Sequence, residues 1–162
     1  MDVQTYSPNH INAIVTNDHG NRKWRFNGFY GHLETGKREE SWRLLEELER
    51  RYALPWICMG DFNEILHLKE KVGGSLRPER QMNNFRVTIN RCKLQDLGYV
   101  RADYTWSRRL GARGWVKERL DRALVSTWLP QRQTIVCWFS KPPELDSECL
   151  KDQSCLGLNL CG

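Results

Sequence analysis

The stretch Pro55-Trp56-Ile57-Cys58-Met59-Gly60-Asp61-Phe62-Asn63 decides the fold. Its first five residues are apolar and have the length of a β-strand, and the apolar run ends abruptly at Gly60. A strand without polar alternation is typical of a strand that is buried on both faces. We therefore expect this segment to lie in the middle of a sheet that is covered on both sides.

A carboxylate and a carboxamide, Asp61 and Asn63, follow this strand directly. Ligand sites in layered sheets gather beyond strand ends, where loops hold polar groups against a rigid base. Asp61 can accept a proton from water, and Asn63 can donate an N–H to a phosphoryl oxygen, which are two tasks of phosphodiester hydrolysis. The same residues also favour a plain turn with side chain-to-backbone hydrogen bonds. On local grounds both interpretations stay open.

Two amphipathic helices flank the central strand, one predicted over residues 34–53 with Thr35 as its N-cap and one over residues 78–93. The apolar face of each helix consists of Trp42, Leu45, Leu48 and Tyr52 in the first and Met82, Phe85, Ile89 and Cys92 in the second. The charges of residues 37–51 cancel, five basic against five acidic, which indicates a solvated helix face.

Short β-prone segments account for most of the remaining chain. Residues 3–15 and 24–30, separated by a turn at 17–21, predict a β-hairpin. After Asp96, short apolar pieces alternate with Gly- and Arg-rich turns, as is typical of antiparallel strands: residues 97–99, 104–106, 115–116 and 124–125. Helices beside a buried sheet, followed by further strands, predict a layered α+β or α/β sandwich.

Length and composition fit one globular domain, because the chain has 162 residues and is 40% hydrophobic. We expect that domain to span residues 1–130 and residues 131–162 to form a poorly structured tail. The first residues resemble no signal peptide, and no apolar run has the roughly 18–20 residues of a membrane span. We therefore expect an intracellular protein of the nucleus or cytoplasm. The six cysteines form no Cys-x-x-Cys pair, so we predict no metal site from them.

Basic residues are concentrated in residues 101–132, which hold eight of them against three acidic ones. This excess of five equals the net charge of the whole chain, +5. Within it, Thr105 and Trp106 stand beside Arg108 and Arg109, a pattern that can stack on bases or contact phosphates. A packed strand with one wet face explains the pattern equally well.

Two further side chains are candidates with a simpler alternative. Tyr30 can give a phosphate a hydroxyl donor, although a tyrosine at the edge of the core is the simpler interpretation. Asp121, within residues 117–122, can orient a histidine as carboxylates do in hydrolytic sites. An Arg–Asp surface pair is the alternative there.

Taken in order, seven segments resemble the endonuclease/exonuclease/phosphatase domain of plant LINE-type non-LTR retrotransposons. They are residues 7–11, 24–32, 55–65, 73–74, 96–99, 104–107 and 116–123, so the resemblance covers about residues 3 to 130. It implies a partial four-layer α/β/β/α sandwich of the DNase I-like type. It also implies a divalent-metal-dependent hydrolase, usually using Mg²⁺, that acts on the phosphodiester backbone of DNA.

The resemblance also implies a set of site residues. Tyr30 matches the phosphate-contacting tyrosine, and Asp61 matches the aspartate that positions or deprotonates the attacking water. Asn63 matches the asparagine that stabilises the transition state, and Asp121 matches the aspartate that orients a catalytic histidine. We expect the nucleic-acid-binding residues to be Thr105, Trp106, Arg108, Arg109 and Arg119.

The departures from the family pattern concern its two ends. The family opens with a strand that bears an asparagine and a second that bears a metal-binding glutamate, and this sequence starts after both. The family closes with Ser-Asp-His, whereas the last histidine here is His67. We therefore expect a domain truncated at both ends and inactive by itself. The alternatives are a noncatalytic basic nucleic-acid-binding module and a nuclease completed by a missing N-terminal segment.

Overall fold

A six-stranded main sheet organises the protein. The computed structural model describes residues 1–16, 22–98, 103–111 and 114–126. Within these residues the main sheet has the order β1-β2-β3-β4-β9-β6. Its strands are β1 (Asp2–Ser7), β2 (His10–Thr16), β3 (Lys23–Tyr30), β4 (Trp56–Asp61), β6 (Leu94–Asp96) and β9 (Asp121–Ser126).

The apolar run that follows Pro55 forms β4, the strand that was predicted to be central. It pairs in parallel with β3 on one side and antiparallel with β9 on the other. Trp56, Ile57 and Cys58 are buried, as an unbroken apolar strand between two neighbours requires. The prediction of a buried central strand is therefore confirmed.

The predicted hairpin is also present, as the antiparallel pair of β2 and β3. Residues 3–15 were predicted as one β-prone arm, but they hold two strands, β1 and β2, that pair with each other. The chain turns between them at Pro8 and Asn9, because proline supplies no ladder donor and both residues favour turns. The predicted turn at residues 17–21 lies outside the described residues.

Two helices, α1 (Arg38–Arg51) and α2 (Glu79–Arg91), cover one face of the main sheet. Thr35 is not the N-cap of α1. It begins a short 3-10 turn (Thr35–Lys37), and the N-cap of α1 is Lys37, which makes no capping hydrogen bond through its side chain. Most charged side chains of residues 37–51 are exposed, as predicted, but Arg38 is buried.

Stacked aromatic rings connect the helices to the end of β4. The ring centroids of Trp42 and Phe85 lie 4.6 Å apart, and those of Phe85 and Phe62 lie 5.4 Å apart. Phe62 continues the stack to Phe29 of β3 at 4.9 Å. Two of these contacts are stacked and the Phe62–Phe85 contact is tilted, and such aromatic pairs add to the stabilisation from burial of the rings. It fixes the backbone between Asp61 and Asn63 against the core.

A small second sheet has the order β5-β8-β7, with β5 (Lys71–Val72), β7 (Trp106–Arg109) and β8 (Trp115–Glu118). The predicted strand over residues 97–99 is displaced. The observed strand is β6, which ends at Asp96, and Tyr99 lies outside the described residues. The displacement places buried Leu94 in the core and Asp96 against two arginines, as described next.

Four buried or nearly buried charged residues fasten the loop before β5 to the main sheet. Glu70 accepts hydrogen bonds from Arg119 and Arg122, and Asp96 lies 2.8 Å from the first guanidinium and 2.7 Å from the second. Buried charges require such pairing, because an unpaired one loses its solvation without compensation.

None of the helices among the described residues has the length and apolar character needed to cross a membrane. The predicted tail, residues 131–162, lies outside the described part of the chain, as does the end of the predicted domain after Ser126.

Candidate active site at the ends of three strands

Three of the predicted site residues lie side by side at one end of the main sheet. Tyr30 of β3 is the register partner of Asp61 of β4, and Asp61 is the register partner of Asp121 of β9. Register partners in adjacent strands project their side chains from the same face of a sheet. The fold therefore gathers a phenol and two carboxylates from segments that are far apart in the sequence.

Asp61 stands in an environment that favours its neutral form. Burial raises the pKa of this carboxyl above its ordinary value, and the Asp121 carboxylate raises it further. The Asn63 backbone N–H donates to Asp61 Oδ1 at 2.8 Å and opposes that rise, as does the charge of Arg38. The outcome is a carboxyl with a raised pKa, which brings its proton affinity closer to that of a base working near neutral pH.

Asn63 is held in a conformation that few residues adopt. Its φ is +54°, in the left-handed region that asparagine tolerates better than most side chains. Its side-chain amide donates to the Gly31 carbonyl at 2.8 Å, and the residue is only 4% exposed. The predicted donation to a phosphoryl oxygen therefore has to use the second amide hydrogen.

The turn interpretation of residues 61–63 and the site interpretation are both compatible with this geometry. The bond from Asn63 N to Asp61 Oδ1 is the side chain-to-backbone bond of such a turn. The turn nevertheless begins at Asp61, which lies between Tyr30 and Asp121 in the sheet. A turn at this place therefore keeps Asp61 next to the other two candidate site residues.

Asn9 fixes the position of Tyr30, and the sequence analysis did not identify it. The Tyr30 N–H donates to the Asn9 carbonyl at 2.9 Å, and the Asn9 side-chain amide donates to the Tyr30 carbonyl at 2.9 Å. The Tyr30 side chain is exposed, so its hydroxyl can meet a ligand. The turn dipeptide Pro8-Asn9 was the available signal, but it says nothing about the distant strand it would reach.

Within the described part of the chain, no ion pair joins Asp121 to an arginine, as the predicted Arg–Asp surface pair would require. Arg122 and Arg119 pair with Glu70 and Asp96. Asp121 is exposed and lies next to Asp61 in the sheet. The Asp121 carboxylate therefore lies beside the other candidate site residues, Asp61 and Tyr30.

Arg38 is a second residue that sequence reasoning missed. Its Nη1 donates to Glu64 at 2.6 Å and to Gln81 at 3.3 Å, and its charge lowers the pKa of Asp61. Arg38 is therefore a buried positive charge that acts on the Asp61 carboxyl. Its place in a balanced charge run disguised it as a surface residue.

The predicted nucleic-acid-binding residues fall into separate places. Arg108 and Arg109 are exposed and project from opposite faces of β7, because their register partners are successive residues of β8. Trp106 is 40% exposed. Thr105 accepts two backbone hydrogen bonds from the start of β9. Arg119 is buried in ion pairs, which makes it the least suited of the five to a phosphate.

The basic stretch of residues 101–132 therefore exposes fewer positively charged side chains than its composition indicates. Arg119 and Arg122 are neutralised by buried carboxylates. Arg101, Arg113 and Arg132 lie outside the described residues.

The fit of Mg²⁺ depends on the donors that the site brings together. No cluster of three or more His, Cys, Asp or Glu side chains occurs among residues 1–16, 22–98, 103–111 and 114–126. Asp61 and Asp121 are two carboxylates, fewer than the three ligand side chains of such a cluster.

Comparison with solved structures identifies the fold. The endonuclease domain of TRAS1, a telomere-specific non-LTR retrotransposon, matches 78% of this chain and 56% of its own, with a TM-score of 0.55 and 13% identity. The chain shares the fold of that domain. It spans a little over half of that domain's length. An endonuclease/exonuclease/phosphatase family protein from Bacteroides thetaiotaomicron is similar over 73% of this chain and 41% of its own, with a TM-score of 0.46 and 20% identity.

No protein-family model and no curated protein matches the chain. At 13% identity the structural likeness establishes the architecture and leaves the chemistry to the site itself. The expected α+β fold class is confirmed by the two sheets and two helices and by the fold shared with the TRAS1 endonuclease domain.

Proposed function

We propose that this chain is a nuclease-like domain of the endonuclease/exonuclease/phosphatase type, of the kind that LINE-type retrotransposons carry, and that it binds the phosphodiester backbone of DNA at the ends of β3, β4 and β9. The observation that carries the proposal is the row formed by Tyr30, Asp61 and Asp121. Asn63 lies in the turn that follows.

The row divides the work of phosphodiester recognition between its members. The exposed Tyr30 hydroxyl and an Asn63 amide hydrogen donate to phosphoryl oxygens, as transition-state stabilisation requires. Asp61, with its raised pKa, has the position of the base that accepts a proton from the attacking water in a complete site of that family. Asp121 is the carboxylate that orients a histidine in the family that the sequence resembles.

We also propose that the 162-residue chain by itself does not hydrolyse DNA at a measurable rate. In that family Mg²⁺ supplies charge stabilisation at the phosphate, but the described carboxylates do not build its site. The last histidine of the sequence is His67, which precedes Asp121. Groups that act as a unit lose orders of magnitude in rate when one of them is missing.

A plasmid assay tests the catalytic half of the proposal. Supercoiled plasmid is incubated with Mg²⁺ and either the wild-type chain or the Asp61→Ala variant, and nicked circles are quantified on a gel. We expect the two proteins to nick equally little. Nicking by the wild-type chain that disappears in Asp61→Ala would overturn the proposed inactivity and would place a working base at Asp61.

A noncatalytic DNA-binding module is the second candidate, and the exposure of Arg108 and Arg109 favours it. If these side chains contact phosphates, DNA affinity falls steeply with salt, and removing both lowers the slope of log K against log salt by about two. The test compares the Arg108→Ala, Arg109→Ala double variant with Arg43→Ala, Arg51→Ala, which removes the same charge from the exposed surface of α1. An unchanged slope in the first variant would remove this candidate.

A further inference from the structure

The chain at the beginning of β9, Leu120 and Asp121, is hydrogen-bonded to a threonine from another part of the chain. The Thr105 hydroxyl oxygen accepts the backbone N–H of Leu120 at 3.0 Å and that of Asp121 at 2.9 Å. A hydroxyl oxygen has two lone pairs, so it can serve both donors. The backbone N–H of Thr105 in turn donates to the Glu118 carbonyl at 3.0 Å. Thr105 is thus attached to β8 through its backbone and to β9 through its side chain.

The same short segment is fixed from the side of β4. The Phe62 N–H donates to the Leu120 carbonyl at 2.9 Å, and Leu120 is buried. Leu120 and Asp121 therefore stand between Phe62 on one side and the Thr105 hydroxyl on the other. This arrangement determines where the Asp121 side chain leaves the backbone, directly beside its partner Asp61.

We propose that Thr105 is a positioning residue that sets the place of the Asp121 carboxylate next to Asp61, in place of the nucleic-acid contact predicted from the sequence. The inference rests on the proposed function, since it assigns Asp121 to the site. Thr105 acts through backbone hydrogen bonds, and the residue it places touches the ligand.

The consequence of this placement is an electrostatic coupling between the two carboxyls. Asp121 raises the pKa of Asp61, whereas the Asn63 N–H on the turn and Arg38 on α1 lower it. Burial is the largest cause of the raised Asp61 pKa, and replacing Asp121 by Asn removes only the contribution of Asp121. The size of the resulting fall in the Asp61 pKa measures how closely Asp121 is held.

A double-mutant cycle on the whole chain tests the inference. The side-chain carboxyl of Asp61 is titrated by ¹³C NMR in the wild type and in Asp121→Asn, and again in the Thr105→Val and Thr105→Ser backgrounds. Valine keeps the shape but removes the acceptor, so we expect the effect of Asp121→Asn to fall by roughly half or more. Serine keeps the hydroxyl and should restore the effect. An undiminished effect in Thr105→Val would overturn the inference.

Amide hydrogen exchange in the wild type supplies a readout if Thr105→Val does not fold. Asp121 is exposed, yet its amide should exchange slowly because Thr105 accepts its hydrogen bond. Thr105→Ser should keep that protection. Exchange of the Asp121 amide at the rate of an unbonded one would contradict the inference.

These measurements involve no DNA, so the outcomes for the two proposals are separable. A chain that couples Asp61 to Asp121 through Thr105 but binds no DNA contradicts the proposed function and retains the positioning role. A chain that binds DNA at the strand ends but whose coupling ignores Thr105 retains the function and contradicts the positioning role.

Discussion

Asp61 and Asp121 are register partners on β4 and β9, so two carboxyl groups that are sixty positions apart in the sequence lie next to each other at the end of the main sheet. Like charges at adjacent positions disfavour simultaneous ionisation. Burial of Asp61 is the larger effect, and the two together keep the pKa of Asp61 above its ordinary value. At neutral pH the ionised Asp61 carboxyl therefore destabilises the folded state.

The substitution Asp61→Asn tests whether the Asp61 carboxyl destabilises the folded chain at neutral pH. A carboxyl with a raised folded pKa contributes stability that is present below its unfolded pKa and is lost as the pH rises through the folded pKa. Asn keeps the Oδ1 acceptor for Asn63 N–H but carries no charge. We expect the variant to unfold at a higher urea concentration than wild type at neutral pH, with the gain shrinking toward about pH 3, below the unfolded pKa of an aspartate.

The matched control for this prediction is Asp103→Asn, which neutralises an exposed carboxylate that is not among the causes of the Asp61 pKa shift. It should change the urea midpoint little at either pH. A loss of stability in Asp61→Asn at neutral pH would contradict the description of the carboxyl pair.

Gly31 should tolerate no side chain. It follows Tyr30, and a Cβ there would lie 2.8 Å from the carbonyl carbon of Phe62, between Asp61 and Asn63. Since Phe62 is buried in the aromatic stack, the backbone cannot move aside without disturbing the core. We expect Gly31→Ala to destabilise the chain by about 1–3 kcal/mol, the usual cost of overpacking, in urea unfolding.

Gly36 is the matched position, because a Cβ there meets nothing within 4 Å. It lies in the 3-10 turn before α1, where Ala restricts the unfolded chain, so Gly36→Ala should be neutral or stabilise by up to about 1 kcal/mol. Equal effects of the two substitutions would argue against the close approach of Gly31 and Phe62.

Glu70 should be essential to the junction of the loop and the main sheet. Burial alone would raise the pKa of its carboxyl, but hydrogen bonds from Arg122 and the charges of both arginines hold it below the ordinary value. A depressed folded pKa gives stability above the unfolded pKa that is lost as the pH falls. Glu70→Gln removes one of the two carboxylates that neutralise Arg119 and Arg122 and leaves Asp96, so we expect a loss of about 3 kcal/mol at neutral pH, the low end for breaking a buried pair.

The comparison for Glu70 is Glu79→Gln, which breaks an ion pair between Arg86 and a largely exposed glutamate. Exposed pairs contribute little, so the loss should be at most about 1 kcal/mol. The difference between the two variants in unfolding free energy should become smaller in acid, because Glu70 becomes protonated in the folded state. A Glu70→Gln variant as stable as wild type at neutral pH would contradict the proposed role of the buried pairs.

Local sequence pattern was sufficient for the elements of this fold. The apolar run after Pro55 predicted β4, and helical spacing predicted α1 and α2 to within a few residues. Both signals depend on the burial of one segment's own side chains. The displaced strand at residues 94–96 shows where such signals fail, because it pairs with β9 and its Asp96 pairs with arginines that lie far from it in the sequence.

The site depended on information that no single segment holds. Tyr30, Asp61 and Asp121 lie next to one another only because three strands pair in one register. The resemblance to a known family identified these residues as candidates but could not show that they are adjacent. Buried arginines were the systematic error: Arg38, Arg119 and Arg122 have the composition of surface charges. Only the position of their carboxylate partners distinguishes them from a basic surface.

The most direct measurement is an NMR titration of the ¹⁵N-labelled chain with a short DNA duplex. If the strand ends form the phosphodiester site, the amide signals of Tyr30, Gly31, Asp61, Asn63 and Asp121 shift together as DNA is added, while those on the exposed face of α1 stay in place. DNA binding that moves other signals and leaves these five unchanged would contradict the proposed function.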